Sequence, residues 1–313
     1  MEESYLMVNP VIVGLCKKER CKFQELAETS NLHCESYPDI TRIPNILYMD
    51  YDYPDHNMDL YFPTNPPEGL PLIIDIHGGG LMSGTKEFNK PFCCELARAG
   101  FIVIAIEYPK VPEATLSTML NDVLIAETKA IEYTRYLNPS PDQVCIIGDS
   151  AGAFLALYTT AIIKNPKLAS EFGIKNVPEI PISALGFISG LFYTTANDYY
   201  GAFYKRLLYG KSAIRFDIPR HVDPDCEEVA GVLPPCYILT SAGDYLKDYT
   251  FRFEKALSKY HIPHVYQYMR NKQLQHDFPV MDTNAIESKG VIVDIANTFK
   301  RYLWEAESTS TSA

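Results

Sequence analysis

A serine between two glycines stands where an apolar run meets a helix-forming run. The segment reads Gly148-Asp149-Ser150-Ala151-Gly152, with the apolar residues 144–147 before it and residues 153–158 after it. Glycines suit a turn that is too tight for side chains beside the hydroxyl and whose backbone is strained. A strand-turn-helix corner of this kind lifts a serine hydroxyl out of a sheet to attack a carbonyl. The pattern predicts Ser150 as a nucleophile, although so short a motif also arises by chance.

A second glycine-rich segment, His77-Gly78-Gly79-Gly80, follows the apolar run Leu72–Ile76. Three consecutive glycines cost backbone entropy, so their presence needs a reason. In acyl transfer, amides without obstructing side chains can point at the oxygen of a tetrahedral intermediate. We predict an oxyanion hole built from this glycine run and the Ala151 amide, in which Gly79 and Gly80 donate and Gly78 mainly shapes the turn. A phosphate cradle is the alternative, but the spacings G-x-x-x-x-G-K-[ST] and G-x-G-x-x-G are absent.

Strand-like and helix-like segments alternate along most of the chain. Continuous apolar runs such as Leu72–Ile76 and Phe101–Ile106 are typical of strands that are buried on both faces of a sheet. Strands alternating with helices favour a mostly parallel sheet wrapped by helices, which is an α/β fold. The predicted strands cover residues 46–51, 58–62, 72–76, 101–106, 144–147, 184–189, 236–240 and 265–269. The predicted helices cover residues 23–32, 89–98, 117–137, 199–208, 245–259 and 291–304.

One α/β core with a small helical cap accounts for the order of these elements. Residues 193–233 interrupt the alternation and are rich in tyrosine and phenylalanine, which indicates a cap over the strand ends. The N-terminal segment lacks a clear strand and is predicted to join that cap. The predicted division is 1–44 (N-terminal cap segment), 45–192 (first part of the core), 193–233 (cap insertion), 234–305 (second part of the core) and 306–313 (a disordered polar tail).

The charge of the chain argues against polyanionic partners. Its 313 residues carry a formal net charge of −11, and the lysines and arginines are scattered. Nucleic acids and anionic membrane surfaces are bound through basic patches, so neither is a predicted partner. No apolar stretch approaches the ~18 residues that a membrane span needs. The predicted partner is a small-molecule substrate. The sequence does not determine the oligomeric state, and a homodimer is compatible with it.

The cysteines and histidines show no metal-binding pattern. The eight cysteines form no C-x-x-C pair, and no His/Cys cluster has the spacing of metal ligands. We therefore expect no metal and no cofactor. The acidic start and the short apolar run Val11–Leu15 do not match a signal peptide. Reduced thiols and a cytoplasmic location are the corresponding expectation.

The two glycine motifs, in this order and both at strand ends, resemble the hormone-sensitive-lipase-like family of α/β-hydrolases. The segments Glu107-Tyr108-Pro109 and Pro112-Glu113-Ala114 add to the resemblance, which covers roughly Leu47 to Trp304. Glu107 and Pro109 depart from the family's usual aspartate and arginine. The resemblance implies an α/β-hydrolase fold and the chain order serine, acid, histidine.

Asp244 is the acid that this resemblance implies. It follows the predicted strand 236–240 and matches the family's Asp-Pro-Leu-x-Asp pattern, with Tyr245 in place of the usual proline. Asp248, one helical turn later, is the rival. Either carboxylate could instead cap the N-terminus of the following helix.

His276 is the predicted base. It follows the last predicted strand in His276-Asp277-Phe278, which resembles the family's His-Gly-Phe with Asp277 in the glycine position. His77 belongs to the glycine loop and is predicted to be structural. The other five histidines lie outside the loops that follow the strands: His33, His56, His221, His261 and His264.

These roles imply a serine carboxylesterase that hydrolyses short-acyl esters, acetyl esters first, through an acyl-enzyme. Ser150 attacks the carbonyl, His276 takes its proton, and Asp244 orients the imidazole. A binding protein or receptor that keeps the pocket is the alternative from another class, and a fluorophosphonate probe separates the two. A lactone hydrolase or a lipase could use the same three residues.

Overall fold

Eight strands form one mixed sheet in this computed structural model, which describes residues 10–32, 37–49, 53–137, 144–209 and 218–310. The strands are β1 (Ile40–Leu47), β2 (Asn57–Pro63), β3 (Leu72–Ile76), β4 (Ile102–Ile106), β5 (Val144–Asp149), β6 (Ile182–Ile188), β7 (Cys236–Ser241) and β8 (His264–Met269). Their spatial order is β1-β2-β4-β3-β5-β6-β7-β8. The pairs β1–β2 and β2–β4 are antiparallel, and all the others are parallel. The mostly parallel sheet that the sequence predicts is therefore confirmed.

Eight α-helices accompany the sheet within the described ranges. They are α1 (Pro10–Leu32), α2 (Lys90–Arg98), α3 (Leu116–Thr134), α4 (Ala151–Lys164), α5 (Tyr199–Tyr209), α6 (Lys247–Lys259), α7 (Phe278–Met281) and α8 (Ile286–Ser310). Single 3₁₀ turns cover Pro166–Leu168 and Ala230–Val232.

Both ends of the chain are more regular than the sequence predicts. Helix α1 is 23 residues long, whereas the pattern predicts only residues 23–32, and β1 begins at Ile40, inside the predicted cap segment. The prediction of a disordered tail from residue 306 is wrong up to Ser310, because α8 continues to that residue. The Ser308 hydroxyl donates to the Trp304 carbonyl 2.9 Å away, so a polar side chain there satisfies a backbone group within the helix. Residues 311–313 lie outside the described ranges.

Helices cover the sheet on both faces. Strands β3, β4 and β5 are buried along their whole length, as continuous apolar runs require. One face packs against α3 and α4 through side chains such as Met119 and Phe154. The other face packs against α2 and α8 through side chains such as Phe92 and Phe299. This core holds the loops at the carboxyl ends of the parallel strands on a rigid base.

Helices α1 and α5 contact the loops at that edge of the sheet. Arg20 on α1 donates to the carbonyls of Met82 and Val111, at 2.9 and 2.7 Å, and pairs with Glu113. The Tyr204 side chain on α5 is buried, and its hydroxyl lies beside Gly80. Both segments that the sequence predicts as cap therefore touch the loops around the glycine motifs.

No helix in the described part of the chain has the length and apolarity to cross a membrane. The seven cysteines in that part are free thiols, and Cys34 lies outside it.

Candidate active site

Ser150 lies at the sharp corner between β5 and α4. Its backbone is in a strained left-handed region, with φ 47° and ψ −111°, which a non-glycine residue adopts only when its surroundings enforce it. A Cβ at Gly152 would lie 1.8 Å from the Ile76 carbonyl oxygen, and a Cβ at Gly148 would lie 2.5 Å from the Gly152 carbonyl carbon. The bracketing glycines are therefore steric requirements of this corner.

The side chains of Ser150, His276 and Asp244 form one hydrogen-bonded chain. The Ser150 Oγ atom lies 2.9 Å from His276 Nε2. The other ring nitrogen, Nδ1, lies 2.7 Å from Asp244 Oδ1. The structure thus brings together the three predicted residues. Ser150 lies 126 positions before His276 along the chain, and Asp244 lies 32 positions before it.

The loops that carry the acid and the base are joined to each other. Gly243 forms a parallel backbone bridge with Gln275, and the Ser241 hydroxyl donates to the Leu274 carbonyl at 2.6 Å. The rival acid, Asp248, lies in the first turn of α6 and is exposed. It does not reach the histidine, so the geometry favours Asp244.

The Asp244 carboxylate is buried and fully hydrogen-bonded. Besides His276, it accepts from the Leu246 amide at 2.8 Å and from the Thr240 hydroxyl at 2.7 Å. Burial alone would raise the pKa of Asp244, but the hydrogen bond and the charge of His276, with these two donors, lower it below its usual value. An ionised carboxylate at this place can fix the tautomer of the imidazole and stabilise its positive form.

The glycine loop supplies fewer free amides than its three glycines suggest. The Gly78 amide donates to Asp149 Oδ2 at 3.0 Å, so its inclusion among oxyanion donors is wrong, and it has only the turn-shaping role. Gly79 and Gly80 have φ of +113° and +64°, and their amides donate to no other described residue. Ala151 begins α4, so its amide has no acceptor within the helix. These three amides remain as the candidate donors.

A buried polar network under the corner was not predicted from the sequence. The Asn89 side-chain amide donates to Asp149 Oδ1 at 2.7 Å and to Asp75 Oδ2 at 3.0 Å. Burial and the nearby charge of Asp277 raise the pKa of Asp149 to about 7. The network ties the corner to the start of α2 and to the Gly78 amide. Asn89 has no motif of its own, so only the tertiary structure could identify it.

His77 is structural, as its place in the glycine loop predicts. Its Nε2 atom lies 2.9 Å from Glu107 Oε1, and Nδ1 lies 2.6 Å from the Gly78 carbonyl. Although burial opposes ionisation, Lys110 and His77 hold the pKa of Glu107 well below its usual range. Glu107, which departs from the family's aspartate, therefore keeps a buried anion at this position.

Three other histidines pair with acids elsewhere in the molecule. His56 contacts Asp122, His221 contacts Glu171, and His264 contacts Glu254. His33 lies outside the described residues. No group of three or more histidine, cysteine or acidic side chains in the described ranges is arranged to hold a metal ion.

Asp277 places a second carboxylate beside Nε2 of His276. Its Oδ2 atom lies 3.1 Å from Nε2, the same nitrogen that faces Ser150. The residue has φ 55°, which explains the family's glycine, and aspartate tolerates this conformation better than most residues. Burial raises the pKa of Asp277 above its usual value, and His276 opposes that rise.

Two carboxylates therefore act on one imidazole. Burial lowers the pKa of His276, but the charge of Asp277 and the hydrogen bond that His276 donates to Asp244 outweigh it and raise the pKa. The Tyr245 ring, at the position where the family has proline, lies over the imidazole with a centroid distance of 4.1 Å. Tyr200 on α5 packs on Tyr245 at 5.2 Å. Two of the departures from the family pattern, Tyr245 and Asp277, thus lie against the histidine.

Solved structures resemble this fold along nearly the whole chain. Esterase B from Lactobacillus rhamnosis has a TM-score of 0.86, and the match covers 97% of this chain and 98% of that one at 20% identity. A bacterial heroin esterase has a TM-score of 0.68 with 95% and 98% coverage at 20% identity. At this identity, the likeness shows a shared fold.

Sequence relatives match shorter segments. A probable isoprenylcysteine alpha-carbonyl methylesterase from Oryza sativa subsp. japonica is 25% identical over 202 residues, which is 62% of this chain and 48% of that protein. Human hormone-sensitive lipase is 30% identical over 118 residues, which is 37% of this chain and 10% of that protein. The chain thus matches about half or less of the length of these relatives.

The profile of the alpha/beta hydrolase fold family matches residues 73–280, which include the glycine loop, Ser150, Asp244 and His276. The chain therefore belongs to the α/β-hydrolase fold family, in the group that resembles hormone-sensitive lipase, as its two glycine motifs predict.

Proposed function

We propose that this protein hydrolyses carboxylic esters through an acyl-enzyme formed on Ser150. The observation that carries the proposal is the unbroken chain from Ser150 Oγ through His276 to Asp244, at 2.9 and 2.7 Å. A hydroxyl at that distance from an imidazole nitrogen can lose its proton as it attacks a carbonyl. The family and the esterases that share its fold support the same reaction class.

The reaction runs in two halves. His276 takes the Ser150 proton while the hydroxyl oxygen attacks the ester carbonyl, and it then gives that proton to the departing alcohol. The neutral imidazole next takes a proton from water, which attacks the acyl-enzyme; His276 then returns that proton to the Ser150 oxygen as the acid leaves. Asp244 holds the Nδ1–H tautomer and stabilises the imidazolium in both halves.

The negatively charged oxygen that forms in each half of the reaction needs hydrogen-bond donors. The amides of Gly79, Gly80 and Ala151 supply them, because all three are unused by described acceptors. Ala151 follows the nucleophile directly, and the glycine loop is tied to the Ser150 corner through the Gly78 amide and Asp149. Each such donor contributes about 10²–10³ in rate in enzymes of this type. Preorganised amides cost no reorganisation as the charge develops.

Short acyl groups, acetyl first, are the proposed substrates. The Tyr204 side chain lies over Gly80, so aromatic bulk limits the space beside the proposed oxyanion donors. Esterase B from Lactobacillus rhamnosis, which shares this fold, is inhibited by a C4-C4 tributyrin phosphonate, and we take short acyl chains as the first substrates to test.

A chain-length series of p-nitrophenyl esters tests this proposal. We expect the highest kcat/KM at two to four acyl carbons and no measurable enzymatic turnover in Ser150→Ala with unchanged circular dichroism. Turnover by the Ser150→Ala variant would overturn the nucleophile. A maximum at long acyl chains with activation at an interface would instead indicate a lipase, and no turnover by the natural protein would favour a binding protein.

A further inference from the structure

Asp277 is a buried carboxylate with one unused oxygen. The residue is only 7% exposed, and its Oδ2 atom contacts His276. The Oδ1 atom has no hydrogen-bond partner among the described residues. A buried carboxylate oxygen without a donor is costly, so this atom is a natural acceptor for a group that arrives from outside.

The two neighbouring carboxylates are already satisfied. Asp244 accepts from His276, Leu246 and Thr240. Both oxygens of Asp149 accept hydrogen bonds, one from the Asn89 side chain and one from the Gly78 amide. Of the three acids around the Ser150 corner, only Asp277 therefore has a carboxylate oxygen without a described hydrogen-bond donor.

A small pocket adjoins this carboxylate. It has a volume of about 180 Å³, and Asp277, His276 and Asp149 form part of its wall. Phe23 from α1 and Phe88 also line this pocket, with their rings edge to face at 6.0 Å. Carboxylates and aromatic rings both attract cations. The size admits a small group rather than a drug-sized ligand.

The rim of the pocket carries one lysine. Lys22 on α1 contributes to the lining, and its ammonium lies 3.8 Å from Glu19 on the same helix. Its side chain is 64% exposed, so water screens its charge. The buried end of the pocket is acidic, and its exposed end holds a paired lysine.

The position of Asp277 identifies which half of an ester the pocket receives. In the proposed reaction, His276 Nε2 gives its proton to the oxygen of the departing alcohol. Asp277 Oδ2 lies 3.1 Å from that same nitrogen. A substrate group that reaches Asp277 is therefore attached to the alcohol half, close to the ester oxygen. The last torsion of an aspartate is broad, so a small rotation can present Oδ1 to the pocket.

We propose that Asp277 selects esters whose alcohol half carries an ammonium group, which it binds in the pocket with Phe23 and Phe88. This inference rests on the proposed ester hydrolysis and deepens it. The cation fills the unused acceptor on Oδ1 and offsets the charge that Asp277 presents to His276. It therefore improves binding and also favours the neutral imidazole that accepts the serine proton.

A pair of esters with the same shape and different charge tests the proposal. 2-(Dimethylamino)ethyl acetate, which carries an N–H ammonium group at neutral pH, and its neutral isostere 3-methylbutyl acetate share the acetyl group and differ in that one cationic centre. We expect the natural protein to prefer the ammonium ester by at least ~10-fold in kcat/KM, which corresponds to about 1.4 kcal/mol. In Asp277→Asn, the ratio should fall to within about threefold of one. Both esters use the same triad, so the ratio cancels changes in basal rate.

A matched control and a second variant complete the design. Asp282→Asn removes one exposed carboxylate five positions further along the chain and should keep the ratio of the natural protein. Asp277→Gly restores the family's residue at φ 55°, so it serves if the asparagine variant fails to fold, and it should also abolish the preference.

The outcomes separate this inference from the proposed function. A ratio near one in the natural protein, or a ratio that survives in both Asp277 variants, overturns the inference while hydrolysis of p-nitrophenyl acetate by Ser150 still stands. Loss of the preference in the Asp277 variants alone supports it. Failure of the natural protein to hydrolyse any of the three esters overturns the proposed function and this inference with it.

Discussion

Two carboxylates flank the imidazole of His276, and their surroundings differ. Asp244, on the Nδ1 side, is 0% exposed and accepts three hydrogen bonds from within the protein. Asp277, on the Nε2 side, has one oxygen without a described partner. The surroundings lower the pKa of Asp244 and raise that of Asp277. A satisfied carboxylate suits a fixed orienting role, and an unsatisfied one suits a ligand.

The largest expected effect separates these two acids. Asp244→Asn should lower kcat for p-nitrophenyl acetate by about 10⁴-fold, because the amide no longer holds the required tautomer of His276. Asp277→Asn should lower it by less than ~10-fold, since Nδ1 keeps its partner. Steady-state kinetics of both purified variants provide the measurement. Equal losses in the two variants would show that both carboxylates orient the base.

A substitution in the glycine loop tests the proposed oxyanion hole while both acids stay unchanged. Gly79→Ala introduces a Cβ 2.1 Å from the Ser83 carbonyl oxygen at a residue with φ +113°. The loop must shift, and kcat should fall by about 10²–10³-fold because an oxyanion donor is displaced. Gly290→Ala is the control, because open space surrounds that position. A Gly79→Ala enzyme of normal kcat would remove this loop from the oxyanion hole.

The acidic limb of the pH profile of kcat/KM tests the charge that Asp277 places on the Nε2 side of His276. His276 must be neutral to act as base, so kcat/KM rises with pH through the pKa of His276. Asp277 raises that pKa, hence Asp277→Asn should move the acidic limb to lower pH by about one unit. The other groups that face the imidazole are the same in both proteins: Asp244, Asp149 and Tyr245.

The pH profile of Asp282→Asn provides the control, since that carboxylate is exposed and screened. An acidic limb that stays in place after Asp277→Asn would show that Asp277 carries no charge next to His276. A shift to higher pH would contradict the sign of its interaction.

The smallest expected effect concerns the hydroxyls that support each acid. Thr240 donates to Asp244 Oδ2 at 2.7 Å, and Ser189 accepts from the Asp277 amide at 3.2 Å. Thr240→Val leaves a buried carboxylate short of a donor and should cost about 1–3 kcal/mol in the free energy of unfolding. Ser189→Ala should cost less, near 1 kcal/mol. Urea denaturation compares them, and the reverse ranking would contradict the difference between the two carboxylate sites.

The sequence predicted the reacting groups better than their supports. Ser150, the glycine loop and His276 belong to local patterns that report on a turn or a strand end, so their positions could be predicted. The Gly78 amide is bonded to Asp149 and the Gly79 amide is not, and this difference depends on backbone angles that consecutive glycines leave open. The contact between Asp277 and Nε2 depends on a side-chain rotation that no pattern encodes.

Helix α1 and Asn89 are two features that local sequence patterns could not predict. The apolar spacing of residues 10–32 is weak, and Arg20 holds the helix through carbonyls more than 60 positions away, so its length could not be read locally. Asn89 can donate hydrogen bonds to Asp149 and Asp75 only because α2 begins beside these two carboxylates. The departures at Tyr245 and Asp277 were the signal in the sequence that this histidine has unusual neighbours.

Covalent labelling of Ser150 by a fluorophosphonate tests the central claim most directly. Intact-mass and peptide analysis should find one equivalent on Ser150 in the natural protein and in Asp277→Asn, and none in Ser150→Ala. Labelling of Asp244→Asn should be about 10³–10⁴-fold slower. Label on another residue, or equal labelling rates in Asp244→Asn and Asp277→Asn, would contradict a nucleophile at Ser150 that works through His276 and Asp244.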